Sequence, residues 1–295
     1  MPVDLNQAQL DALVAIAGTG SFEAAARALH VTPSAVSQRI RALEAAAGQV
    51  LVSRGTPCQP TAQGERLVRL GRHTRLLYDE AAHELGAVVA VDLPVAVNAD
   101  SLATWFRDVL AEAAGWAATS LRLHVEDQAH SQELLRRGEV LAAVTSDPAA
   151  VQGCAVEPLE GLRYAPAATP ELAARWSGSE GGPDWAAMPM VVFNEKDALQ
   201  DEALTRLGVG ARPPVVHRVP SASDFLEAIR LGLGWGMVSH LQAGPELAAG
   251  RLVRLAGDIV SVPLYWQHWR LESPRLARLT ESVHRAASRH ASITA

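Results

Sequence analysis

Three polar side chains, Ser34, Gln38 and Arg41, fall at i, i+4 and i+7 and so share one face of a helix. Gln and Arg can each make paired hydrogen bonds to an adenine or guanine edge, and Ser reaches bases or phosphates. The chemistry that face suits is the reading of duplex DNA, the alternative being the solvated surface of a small helical bundle. Ser37 lies at its flank, while Arg39 on the same helix and Arg54 beyond it supply charge for phosphates. The opposite face carries Val36, Ile40 and Leu43, which must turn into a small core.

Two further segments hold polar groups where a ligand could be met. Asn98-Ala99-Asp100-Ser101, with Thr104 one turn on, and Thr145-Ser146-Asp147 each follow an apolar run that reads as a buried strand. In α/β sheets, ligands bind at such carboxyl ends, in front of helix starts. Catalysis finds no comparable support. The ten histidines show no H-x-x-x-H or H-E-x-x-H spacing, and Ser101 with a distant histidine is compatible with a triad that nothing in the sequence supports. Cys58 and Cys154 are far apart and form no C-x-x-C, which argues against a disulfide framework or a zinc site and fits a reducing cytoplasm. No metal or cofactor is expected.

The reading face needs a scaffold, and the sequence supplies one. Leu10, Leu13 and Ile16 recur at helical spacing, Gly18-Thr19-Gly20 breaks the pattern, and Ser21 can cap a helix from Phe22 to Leu29. Thr32 is a good N-cap and Pro33 suits the first helical position, so a third helix runs from there to Ala47 and ends at Gly48. Only His30 to Thr32 separate the second and third helices, the spacing of a helix-turn-helix. Val50 to Arg54 reads as a strand and Gly55 to Pro60 as a turn, together a small wing. From Ala62 to about Val88 one long helix with Leu67, Leu70, Leu77 and Leu85 reads as a candidate dimerisation element and linker, or else as a single solvent-bridging helix.

Beyond it the pattern alternates. Runs 93–98, 121–126, 140–145 and 191–193 read as strands, and 102–114, 131–137 and 198–207 as helices, which predicts an α/β sheet with largely parallel strands. The charge follows the same division. The chain carries a net charge of −6, yet Glu23 to Arg75 holds eight arginines against three glutamates, and the remainder sums to about −11. Positive potential at one end suits phosphate. No apolar stretch approaches the roughly 20 residues of a membrane span, and no signal peptide is read at the start, so a cytoplasmic protein with no membrane partner is expected.

The run Ser21-Phe22-Glu23-Ala24-Ala25-Ala26-Arg27-Ala28-Leu29, followed by Val31-Thr32-Pro33-Ser34-Ala35-Val36-Ser37-Gln38-Arg39-Ile40-Arg41-Ala42-Leu43-Glu44, resembles the DNA-binding signature of LysR-type transcriptional regulators. Val97 to Trp105, Val125-Glu126-Asp127, Leu135 to Val140 and Leu264-Tyr265-Trp266 resemble the arginine- and lysine-responsive branch of that family, whose members activate an exporter of basic amino acids. The resemblance implies an α+β multidomain protein. It would comprise a winged helix-turn-helix (residues 1–61), a linker helix (62–90) and a two-lobed effector domain like a periplasmic binding protein (91–295). Lobe I would cover about 91–161 and 267–295, and lobe II about 162–266. It also implies a double-stranded DNA operator, a lysine or arginine effector, a homodimer assembling into a tetramer, and RNA polymerase as a further candidate partner. The wing departs from the family pattern in being short and lacking an arginine at its tip.

A free amino acid gives the cleft residues a physical reading. Ser101 and the amides after Asp100 can donate to its carboxylate, while Asp100 suits an ammonium or a helix cap. A cationic side chain needs a carboxylate, and Glu126, Asp127, Asp197 and Asp224 are the candidates. Glu126 and Asp127 are neighbours at a strand end, so at most one faces the cleft. Each acid taken singly also reads as a helix cap or solvated surface. A different small-molecule effector, or an architectural DNA-binding protein without one, stays open.

Overall fold

The computed structural model of the chain describes residues 5–125, 128–178 and 181–291. It opens with three helices, α1 (Gln7–Thr19), α2 (Phe22–Ala28) and α3 (Pro33–Ala47). Each start is fixed locally: Asn6 and Gln9 form a capping box on α1, the Ser21 side chain accepts from the Ala24 amide, and that of Thr32 from the Ala35 amide. Leu10, Leu13, Ile16, Val36, Ile40 and Leu43 meet in one core with Leu51 and Val68, each burial contributing roughly 1.5–3 kcal/mol. The wing is smaller than its apolar run suggests, with β1 (Val52–Ser53) pairing antiparallel to β2 (Gln59–Pro60).

Helix α4 (Ala62–Glu84) is capped by Thr61 and stops at Leu85, short of the expected Val88. Its Val68 and Gly71 face α1, whereas Leu70, Leu77, Tyr78 and Leu85 are exposed. Then come β3 (Val91–Val97), α5 (Ala99–Ala103), α6 (Phe106–Ala113), β4 (Thr119–Val125), α7 (Gln128–Arg136) and β5 (Ala142–Thr145). The long strand β6 (Cys154–Ala168) leads to α8 (Pro170–Arg175), β7 (Met190–Val192), α9 (Leu199–Arg206), β8 (Val216–Arg218), α10 (Ala222–Arg230), β9 (Gly236–Ser239), α11 (His240–Ala248) and β10 (Val253–Arg254). Strand β11 (Val260–Trp269) returns the chain, and α12 (Pro274–Ala291) closes the described part.

The sheet runs β10-β6-β11-β5-β3-β4, with β9 also on β6. It is mixed, which corrects the largely parallel expectation. Strands β3, β4 and β5 are parallel, as are β7 and β8, but β6, β9, β10 and β11 join antiparallel. The two long strands make the difference. At one end, in lobe I, Tyr265–His268 of β11 lies between β5 and the Cys154–Leu159 stretch of β6; at the other, in lobe II, Tyr164–Ala168 of β6 pairs with β9 and β10. The pair kinks between Val262 and Leu264, where a Cβ on Gly161 would lie 2.7 Å from the Val262 carbonyl oxygen, so only glycine fits. Among the described residues no helix is long and apolar enough to cross a membrane.

Candidate DNA interface and ligand cleft

Helix α3 presents Thr32, Pro33, Ser34, Gln38 and Arg41 to solvent while Val36, Ile40 and Leu43 are buried, the division the sequence spacing implies. The Thr32 and Ser34 hydroxyls are 3.0 Å apart at the helix start. Arg39 and Ser37 are half-buried at the sides. Ser37 lines an open recess of about 430 Å³ with Ser21, Phe22, Glu23 and Arg54, at the start of α2 and under the wing. The Arg54 guanidinium lies 5.9 Å from the centre of the Phe22 ring, which fixes its charge beside the reading helix. A Ser21 hydroxyl bond holds Glu23 below the usual carboxylate range, so the recess carries charge of both signs.

The basic stretch divides in three dimensions in a way its composition does not show. Arg69 and Arg72 turn away from α3 and donate to the Arg136 and Arg137 carbonyls at 2.9 and 2.8 Å, and Arg75 pairs with Asp79 at 3.0 Å. Three of the eight arginines from 23 to 75 are thus engaged by α4 itself or by lobe I.

At the junction of the lobes, Asn98 is the cap of α5, its side-chain oxygen accepting from the Ser101 amide at 2.8 Å. Asp100 is freed from capping and instead accepts from the Tyr164 hydroxyl of β6 at 2.6 Å. Burial raises the Asp100 carboxyl above its ordinary range, the Tyr164 bond opposes this, and the Asp197 charge adds to it. Burial and the same two carboxylates push Tyr164 well above the usual phenol value, so it stays protonated and donates. Ser101 is fully buried, and neither its hydroxyl nor the Asn98 side-chain nitrogen has a hydrogen-bond partner among the described residues.

Other expected cleft residues differ in their engagements. The Asp197 carboxylate accepts from the Phe193 and Leu199 amides at 2.8 and 3.2 Å, stapling the loop between β7 and α9. Thr104 donates back to the Asp100 carbonyl at 2.6 Å, and Thr145 donates to the Asp147 carbonyl at 3.0 Å. Gln267, which sequence reasoning missed, is fully buried and binds the Asp147 and Ala149 carbonyls and the Val151 amide, holding the 145–151 loop rigid. Ser146 is half-buried in that loop. Asp224 is exposed in the first turn of α10, whose cap is Ser221 and which packs against α5. Glu126 and Asp127 lie outside the described residues. Tyr164 and Lys196 were also missed, Tyr164 because its partner is 64 residues away.

Comparison with known proteins agrees with this architecture. Residues 7–65 match the family of bacterial regulatory helix-turn-helix proteins, lysR family, and residues 93–288 match the LysR substrate binding domain. The chain belongs to the LysR family. Within it, the lysine export transcriptional regulatory protein LysG of Corynebacterium efficiens is 50% identical over 285 residues, covering 96% of this chain and 98% of that protein. Full-length LysG from Corynebacterium glutamicum with bound effector Arg superposes with a TM-score of 0.81 at 47% identity, covering 97% of this LysR-family chain and 99% of the other. ArgP from Mycobacterium tuberculosis gives a TM-score of 0.85 at 44% identity, covering 97% and 98%.

Proposed function

We propose that this LysR-family regulator binds a double-stranded DNA operator as a homodimer, or as a tetramer made of two such dimers. In this reading it senses lysine or arginine between its lobes and controls a gene for export of basic amino acids. The observation that carries the sensing is the Asp100–Tyr164–Asp197 constellation. A buried carboxylate whose direct partner is a neutral phenol, with a second carboxylate raising its pKa further, is a site that a cation relieves. The unpartnered Ser101 hydroxyl and Asn98 amide nitrogen are donors suited to the ligand's own carboxylate. Asp100 then takes the α-ammonium, and the cationic side chain is left to Asp197 or to one of Glu126, Asp127 and Asp224. The arginine bound by the Corynebacterium glutamicum relative fits this chemistry.

DNA reading is assigned to Thr32, Pro33, Ser34, Ser37, Gln38, Arg39 and Arg41, with Arg54 on the backbone. The exposed Leu70, Leu77, Tyr78 and Leu85 of α4 supply the dimer seam. The protein acts in the cytoplasm, as a regulator rather than an enzyme, with RNA polymerase as the partner its DNA-bound form addresses.

Calorimetry with arginine, lysine and norleucine tests the reading. Norleucine keeps the aliphatic stem of lysine but leaves an acidic pocket uncompensated, which should cost several kcal/mol. Arginine or lysine should bind, norleucine should not, and promoter output should change with the ligand. Equal affinity for lysine and norleucine defeats the charged cleft.

A further inference from the structure

Helix α7 is attached at both ends to elements outside its own lobe. In its first turn, His130 Nδ1 lies 3.4 Å from Lys196 Nζ on the lobe II loop between β7 and α9. At its other end the Arg136 and Arg137 carbonyls accept from Arg69 and Arg72 of the linker helix. Those carbonyls sit at the negative end of the helix dipole, where guanidinium donors are favoured. The Arg69 guanidinium also lies 5.1 Å from the centre of the Trp269 ring, and the Arg69 stem fills the place where a Cβ on Gly138 would stand, 2.8 Å away. Gly138 has φ +62, so the turn that ends α7 is shaped for this contact.

The loop at the first end is a single stapled unit. Asn194 accepts from the Lys196 amide at 2.8 Å and Asp197 from the Phe193 and Leu199 amides, so Lys196 and Asp197 move together. Asp197 faces Asp100 electrostatically, and Lys196 faces α7. A cation entering beside the two carboxylates therefore acts on the same loop that touches α7. Between its ends α7 is stiff: Leu135 is fully buried with Ala96, Ala143, Cys154 and Trp269, and its nine residues form a strut of about 13 Å.

We propose that α7 is the coupling element of this regulator, transmitting occupancy of the cleft through Lys196 and His130 to Arg69 and Arg72 and thereby setting the angle of the linker helix and the DNA-reading helices. This rests on the sensing function above. The linker helix has a second attachment that makes a control. Glu80 is buried and accepts from the Ser273 hydroxyl at 2.7 Å and the Arg275 amide at 3.3 Å, at the start of α12. None of those bonds involves α7 or the β7–α9 loop.

The test uses the full chain, arginine, and an operator duplex selected by the wild-type protein from random-sequence DNA. Calorimetry first gives the arginine affinity of the wild type. Failure to bind there overturns the sensing reading before any variant is compared, and the coupling with it. The ratio of operator affinities with and without saturating arginine then measures coupling, for which about 5- to 150-fold is typical. Arg69→Met/Arg72→Met should keep arginine affinity within about threefold and bring that ratio below about twofold, Lys196→Met should reduce it from the other end, and Arg72→Lys should restore part of it. Glu80→Gln should leave the ratio intact. A double variant that keeps the wild-type ratio, or a Glu80→Gln protein that loses it as completely, overturns the proposal, because the joint as a whole and not α7 would then carry the signal.

Discussion

The Tyr164 hydroxyl donates to the Asp100 carboxylate at 2.6 Å, joining a crossover strand to the short helix at the lobe junction. Removing the donor should leave a buried anion less satisfied. Tyr164→Phe is expected to destabilise the ligand-free protein by about 1–3 kcal/mol near neutral pH. The Asp100 carboxyl has a raised folded pKa, so it costs nothing while protonated in both states and costs progressively more as pH rises from the ordinary carboxylate range through its folded value. The Tyr164→Phe penalty should accordingly be larger at pH 8 than at pH 4 in urea titrations. Asp100→Asn should be stabilising without ligand and lose affinity for arginine. Equal penalties at the two pH values would show that the bond does not serve the ionised carboxylate.

On α3 the exposed Gln38 and the recess arginine should separate into two kinds of contact. Gln38→Ala should relax preference at one position of each half-site, by about 1–3 kcal/mol, with little change in salt dependence. Arg54→Ala should weaken binding to every sequence alike and reduce the salt slope by about one. Binding-site selection and titrations at several salt concentrations distinguish the two, and an unchanged base preference for Gln38→Ala removes it from the reading face.

What could be read from sequence follows the range of the interactions. The reading helix was legible to the residue because Thr32, Pro33 and Gly48 fix its ends within one turn. The helix expected over 102–114 is instead α5 and α6. The Thr104 hydroxyl bonds back to the Asp100 carbonyl and its backbone leaves the helical region at φ −120 and ψ −106, which residue types there do not announce. Strands β6 and β11 went unread because their two ends pack in different lobes, so no single alternation of apolar residues runs through them. At the site the strand-end position marked Asn98, Asp100 and Ser101, whereas Tyr164 and Gln267 meet their partners across 64 and 120 residues. Arg69 and Arg72 add to the basic composition of the N-terminal stretch, but their carbonyl partners lie in lobe I, 67 and 65 residues on.

The leucine stripe of α4 gives a prediction about assembly. Leu70 and Leu77 are each 38% exposed and seven residues apart, with Tyr78 and Leu85 extending the same strip. Leu70→Asp/Leu77→Asp should place charges in the seam without touching Val68, Gly71 or Leu76, which face inward. Sedimentation should then show monomers, and affinity for a two-half-site operator should fall to that of a single domain. A variant that sediments as the wild type does places the seam elsewhere.

His73 projects from the linker helix toward lobe I, its ring 4.6 Å from that of Trp269 with the planes tilted. Burial, and then the charges of Arg69 and Arg72, lower its pKa from 6.5 to about 4, so it is neutral in the folded protein. A depressed pKa means that the unfolded chain binds the proton more readily. The stability that depends on neutral His73 is present in full above pH 6.5 and is lost as pH falls toward 4. A shift of this size corresponds to about 3 kcal/mol at most. His73→Phe keeps an aromatic ring against Trp269 and has no proton to gain. The difference in unfolding free energy between variant and wild type should therefore swing in the variant's favour as pH falls from 7 to 4. Denaturation curves at half-unit intervals measure that difference directly and cancel the other histidines and carboxylates that titrate in both proteins. Parallel profiles over the whole interval would mean that His73 takes up its proton as easily folded as unfolded, and that its ring is not held out of water against Trp269.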